Sequence, residues 1–283
     1  MTETQIDTAQ WRAALSAHPV HQVPPVGAPY VFGRWHKDRA SLRGYAFEAR
    51  VYAKALFKRT NPQKFLMVGR PRSGTTLLRR LLNQVDGVHC DGEMLHHTVM
   101  APRRFLNRLA GIKSAAAYGS KLLSYQIFEV QKIADPVGFL QALLADNYTL
   151  VHVRRDTFDQ ALSLSVAQAG HGYHIRAGEQ HAARDVTLDP DLFERQIRHH
   201  AAMLDYEDLL FSQLPHLKVQ YEDDLKLPQA HQPTIDRICA ALGVPSGPVA
   251  ADLKRVSERT IITNLDSLRS SADAFLSEQR SIS

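Results

Sequence analysis

The feature that most constrains this chain is the loop GRPRSGTT at 69–76, set between the apolar run KFLMV at 64–68 and the leucine-rich run TTLLRRLLNQ at 75–84. A short apolar run closed by glycine reads as a buried strand, and the leucine spacing after it reads as a helix. A strand that turns through such a loop into a helix N-terminus brings unpaired backbone N–H groups and the positive end of the helix dipole to one point. That arrangement wants an anion of the phosphate kind.

The loop keeps the G-x4-G frame of nucleotide-binding loops through Gly69 and Gly74, but Thr75 occupies the place of the motif's lysine. The cation has moved: Arg72 stands two residues before Gly74, Arg70 opens the loop, and Ser73, Thr75 and Thr76 offer hydroxyls. A second unit of the same kind follows, TLVHV at 149–153, then Arg154, Arg155 and Asp156, then a helix over 157–168 with Asp156 as its N-cap. Further helices are expected over 41–58, 192–210 and 232–242, the last closed by Gly243 as C-cap, and a strand over 217–221. The stretch 103–134 reads as helical and basic, and 170–190 as a polar, histidine-rich surface loop. Strands alternating with helices give an α/β class: a P-loop-like parallel sheet flanked by helices in one domain, 41–283. The proline-bearing lead, 1–40, is expected to be irregular.

Composition narrows the class. The net charge of +5 and pI near 9.2 suit an anionic ligand and fall short of a nucleic-acid arm, so no nucleic-acid partner is expected. Cys90 and Cys239 are too few for a disulfide framework or a zinc site, which points to a reducing, cytoplasmic setting. No apolar run approaches the roughly 20 residues of a membrane span. The basic residues interleaved through 41–58 read as a solvated outer face, with peripheral contact to a membrane or polyanion as the alternative. Oligomeric state has no signal.

The string Arg72-Ser73-Gly74-Thr75-Thr76-Leu77-Leu78 after a strand resembles the 5'-phosphosulfate loop of sulfotransferases that use 3'-phosphoadenosine 5'-phosphosulfate (PAPS), in particular bacterial enzymes acting on carbohydrates or glycolipids. The resemblance runs over 64–268. It implies the sulfotransferase fold, PAPS as co-substrate and no metal. It also implies that Arg70, Arg72, Ser73, Gly74, Thr75 and Thr76 hold the 5' end, while Arg155 and Ser163, eight residues apart, hold the 3'-phosphate. A guanidinium and a hydroxyl converging on one phosphate would distinguish PAPS from ATP. Two weaker echoes of the family are VQYEDDL at 219–225 and LKRVSERTIITNL at 253–265, the latter offering Lys254, Arg255 and Arg259 to the nucleotide.

The implied reaction moves a sulfuryl group in line to an acceptor hydroxyl, with Arg72 stabilising the leaving phosphate. Glu93, in GVHCDGEMLHH, is the candidate base; His89, Asp91, His96 and His97 compete. His152, inside an apolar strand, reads as a packed core residue. The adjacent pairs His96-His97 and His199-His200 diverge by about 100° on a helix and do not suit one metal ion. The acceptor is expected to be a small molecule or glycan, with a lipid, peptide or phenol as alternatives. A P-loop kinase would need the absent lysine, and a non-catalytic nucleotide- or polyanion-binding module would bind without turnover.

Overall fold

The computed structural model describes residues 7–21, 42–171, 175–176, 184–250, 253–254 and 260–282. Its centre is a five-stranded parallel sheet of β1 (Gln63–Gly69), β2 (Val88–Glu93), β3 (Ala117–Leu123), β4 (Tyr148–Arg154) and, after two short strands elsewhere, β7 (Leu217–Gln220). The order across the sheet is β2-β3-β1-β4-β7. β1 sits in the middle, paired along its length with β3 and over most of it with β4. The connection after β1 leads toward β2 and the one after β4 toward β7, so their carboxyl ends flank the crevice where α/β sheets bind ligands.

Both faces of the sheet are covered, which is why its central strands are apolar throughout. Leu66 and Val68 of β1 join a core with α4 (Pro102–Gly111), α5 (Pro136–Ala145) and α7 (Pro190–Phe211). Phe65 and Met67 point the other way, into a core with α3 (Thr75–Leu82) and α8 (His231–Leu242). A third cluster ties α6 (Thr157–Val166) to α7 and to α9 (Leu265–Ile282). The parallel α/β class expected from the sequence is thus the observed one, with Asp156 capping α6 by accepting from Asp159 N and Gly243 closing α8 at φ 65°.

Three expectations differ. The lead contains a helix, α1 (Thr8–Ser16), whose Trp11 and Leu15 are buried; Trp11 Nε1 donates to Leu209 O at 2.6 Å. The stretch 103–134 is not one helical run: α4 ends at Gly111, a π-helical turn lies at Gln126–Val130, and between them β3 takes its place between β2 and β1 in the sheet. Gly119 and the buried Ser120 and Lys121 broke the apolar pattern there. Gly119 is required because a Cβ would lie 2.3 Å from the Phe65 ring on the neighbouring strand. In the segment expected to be a loop, two short strands appear, β5 (Ile175–Arg176) against β8 (Leu253–Lys254) and β6 (Arg184–Val186) against β9 (Thr260–Ile262). The basic helix is α2 (Leu42–Phe57), packed on α4.

One polar cluster lies inside this fold. Arg70 and Glu207 are fully buried and pair at 3.5 Å. Glu207 also accepts from Ser124 Oγ, and from His152 Nε2 at 3.3 Å, while the His152 ring stacks on Phe211. Arg70 Nη1 donates to His200 O at 2.8 Å and Nη2 to Arg155 O at 2.9 Å, while Nε faces Glu207 without a hydrogen bond. Removing one member of a buried ion pair strands the other charge, which costs about 3–5 kcal/mol. Glu207→Ala should therefore lower unfolding stability in urea by about that amount.

Nearby on α7, His200 is buried and His199 half-buried. Burial, then the Arg70 charge, depresses His199 to about 4, and the same causes with His199 and Arg155 hold His200 well below its ordinary value. Both folded-state values lie under the unfolded value near 6.5, so the unfolded chain takes up protons first. The stability is complete above pH ~6.5 and is lost as pH falls from there toward about 4. Urea midpoints should drop between pH ~7 and ~5, by up to roughly 1.4 kcal/mol per unit for each histidine, and His200→Leu should flatten the profile.

Candidate active site

The loop after β1 is held in a strained shape by its surroundings. Arg72 has φ 66° and Gly74 has φ 99°, so the backbone is left-handed at two positions, one of them not glycine. Such a residue costs about 1–3 kcal/mol and persists where neighbours over-determine it. Here Arg155 Nη1 donates to Arg72 O at 3.0 Å, Gln160 Nε2 donates to Pro71 O, and Arg72 Nε donates to Ser163 Oγ at 3.1 Å. All three clamps come from the β4–α6 unit.

Gly74 is the N-cap of α3, which has no acidic residue in its first turn and Arg79 and Arg80 in its last, a charge order that suits the helix dipole. Its missing Cβ makes room for Tyr221, whose Cδ2 would lie 2.6 Å from one. The Tyr221 ring carries the Arg155 guanidinium at 4.3 Å. Loop, β4 end and β7 end therefore meet on one aromatic ring, and the segment that looked like a faint echo in the sequence supplies it.

On the other side of the loop lies a residue the sequence reading missed. Lys121 Nζ, on β3, donates to Thr76 Oγ1 at 3.1 Å and to Glu93 Oε1 at 3.2 Å. The side chains are mostly buried, at 8% exposure for Lys121 and 20% for Glu93. Gln126 Nε2 donates to the second Glu93 oxygen at 3.1 Å, and its own Oε1 accepts from Leu123 N. Glu93, at the carboxyl end of β2, is thus held within one lysine of the loop. A lysine inside a strand was the available signal, but it is legible only once β3 is known to lie beside β1.

Arg155 and Ser163 are brought together, as the spacing implied, yet both contact Arg72 itself. Ser73 and Thr75 are buried in the loop. Arg70 differs from its expected place: its side chain is sealed in the interior against Glu207 and two carbonyls, with no surface left for a ligand, so it positions the loop. The Lys254 side chain, Arg255 and Arg259 lie outside the described residues. Among the competing bases, Asp91 is tied to Lys113, Tyr118 and His89. Burial pushes its carboxyl up, but those hydrogen bonds outweigh that and hold it below its ordinary value. His89 is spent on the same aspartate. His96 Nδ1 turns back on Glu93 O, with the His97 ring at 3.9 Å.

Ser73 Oγ and Arg155 Nε are among the buried polar atoms at the loop without a protein partner. With the amides at the start of α3 and Arg72, they form a donor set for a multiply charged anion. Gly74→Ala, which adds a Cβ against Tyr221 at a left-handed position, should cost about 1–3 kcal/mol of stability and abolish pyrophosphate binding followed by calorimetry.

No curated protein matches the chain. Among solved structures it is similar to mouse sulfotransferase SULT7A1 complexed with PAP, with 12% identity and a TM-score of 0.40. That match covers 70% of this chain and 65% of the mouse one, just under two thirds of its length. Residues 63–128 match the model of the sulfotransferase family, a stretch that contains β1, the loop, α3, Glu93 and Lys121.

Proposed function

We propose that the chain is a PAPS-dependent sulfotransferase acting on an acceptor hydroxyl of a carbohydrate or glycolipid. The observation that carries this reading is the Thr76–Lys121–Glu93 chain, which joins a phosphate-type loop lacking its own lysine to a carboxylate. It lies wholly within the residues that match the family. The unpartnered buried donors Ser73 Oγ and Arg155 Nε fit a co-substrate with several anionic oxygens.

PAPS when bound supplies the sulfuryl group and a phosphate leaving group. Loop amides, Ser73 and Thr75 would hold the 5' end, and Arg72 and Lys121 are the cations that would stabilise the leaving phosphate. Fixed donors at such a point act without reorganising, which is where most of the rate comes from in group transfers of this kind. Glu93 accepts the proton of the acceptor hydroxyl. Gln126 and Lys121 fix its two oxygens, so the carboxylate is aimed before the acceptor arrives. Arg155 and Ser163 serve the 3'-phosphate while bracing Arg72, which couples recognition of that phosphate to the shape of the loop. The Glu93-Met94-Leu95-His96 segment, resembling that of carbohydrate sulfotransferases, supports the acceptor class.

Calorimetric titration with adenosine 3',5'-bisphosphate, adenosine 5'-monophosphate and ATP tests the binding half. The bisphosphate should bind preferentially, and Arg155→Ala should weaken it by about tenfold to a hundredfold, the worth of a hydrogen bond to a charged group. Preference for ATP would overturn the reading. In turnover, Glu93→Gln should lower kcat by about 10²–10⁴ while leaving bisphosphate affinity unchanged, and equal activity would remove Glu93 from its role.

A further inference from the structure

Helix α2 presents apolar side chains on two faces. Gly44, Glu48, Val51 and Ala55 are buried against the body of the protein. At 100° per residue, Leu42, Tyr45, Ala49, Ala53 and Leu56 form a second stripe on the opposite side, and every one of them is exposed. Leu56 stands 73% exposed, its neighbour Phe57 91%, and Met100, in the turn before α4, 76%. Adjacent bulky apolar groups left in water mark an interaction surface.

Charge says which kind. Arg50 and Lys54 flank the stripe on one side, Arg104 and Arg108 on the other, and none of the four has an ion-pair partner among the described residues. The one acid of the helix, Glu48, is buried, where its Oε2 accepts from Met100 N at 2.9 Å. An apolar stripe between two rows of cations, with no exposed acid, is the pattern of a helix lying in an anionic membrane surface.

A cavity of about 370 Å³ opens beside the stripe, between α2 and α4. Arg104 and Arg108 stand on one wall, Tyr52 and Leu56 on the other, and the Arg104 guanidinium lies 5.5 Å over the Tyr52 ring. Glu48 is sealed at the inner end of the cavity, where burial and its carboxylate push the Tyr52 hydroxyl above its ordinary value. With two guanidiniums on one wall and the only acid sealed inside, the cavity suits an anion.

We propose that this face docks onto an anionic bilayer, with a phosphatidylglycerol-type headgroup entering the cavity. The lipid phosphate sits between Arg104 and Arg108, and Leu56, Phe57 and Met100 enter the acyl boundary. The inference is independent of the chemistry proposed for the loop.

Flotation of the full chain with phosphatidylcholine vesicles, with and without phosphatidylglycerol, tests it. Binding should require phosphatidylglycerol and fall at high salt. The pair Arg104→Gln and Arg108→Gln should weaken it by about tenfold or more, at roughly one charge's worth of attraction each. Leu56→Ser with Phe57→Ser, both outward-facing, should weaken it comparably with an unchanged melting temperature, and Phe57→Trp should show blue-shifted emission on vesicles. Equal binding to neutral vesicles, no binding to either, or salt-sensitive binding that ignores the Leu56 and Phe57 changes would each overturn the proposal.

Discussion

The buried pairing of Arg70 with Glu207 is the contact on which the rest of the site depends. A guanidinium and a carboxylate withdrawn from water cost several kcal/mol each unless every remaining donor and acceptor is matched. Here Glu207 also takes Ser124 from the end of β3 and His152 from β4, and Arg70 takes a carbonyl from α7 and that of Arg155. One cluster therefore pins the ends of β1, β3 and β4 to α7. Burial draws the Arg70 guanidinium below its ordinary value and the Glu207 charge pushes it back.

That anchor explains how a loop with a left-handed arginine is kept. Arg70 holds the carbonyl of Arg155, and Arg155 in turn holds the carbonyl of Arg72. The strain at Arg72 is thus supported through two consecutive guanidinium contacts from the interior outward. The same geometry turns the side chain of Arg72 toward Ser163, which leaves Lys121 as the cation beside Thr76. A lysine does stand beside the loop, but it comes from the neighbouring strand.

How far the fold could be read in advance follows the polarity of its strands. β1 and β4 are continuous apolar runs and were legible, as was the loop between β1 and α3. β2 and β3 were not, because Asp91, Gly92, Ser120 and Lys121 interrupt them. Of these, Lys121 reaches the loop at Thr76, while Asp91 is tied to Lys113 and Tyr118. A parallel strand whose carboxyl end lines a binding crevice gives up its apolar pattern there, and the pattern is the signal. Arg70 misled for the converse reason: adjacent arginines in one loop look equivalent in sequence, and only packing against α7 separates the interior one from those at the crevice.

By itself the sequence determined the local units: strand, glycine-bearing turn and helix at 63–82, the capped helix after Asp156, the glycine-closed end of α8, and the hydroxyl and cation types at the loop. These rest on interactions between residues close in the chain, which composition and spacing encode directly. The tertiary structure decided which distant residues meet. It placed Lys121 between Thr76 and Glu93, Tyr221 beneath Arg155, Glu207 against Arg70, and the exposed stripe of α2 beside the cations of α4. Such contacts depend on the order of strands in the sheet and on which helix covers which face, and neither is written in the periodicity of any one segment.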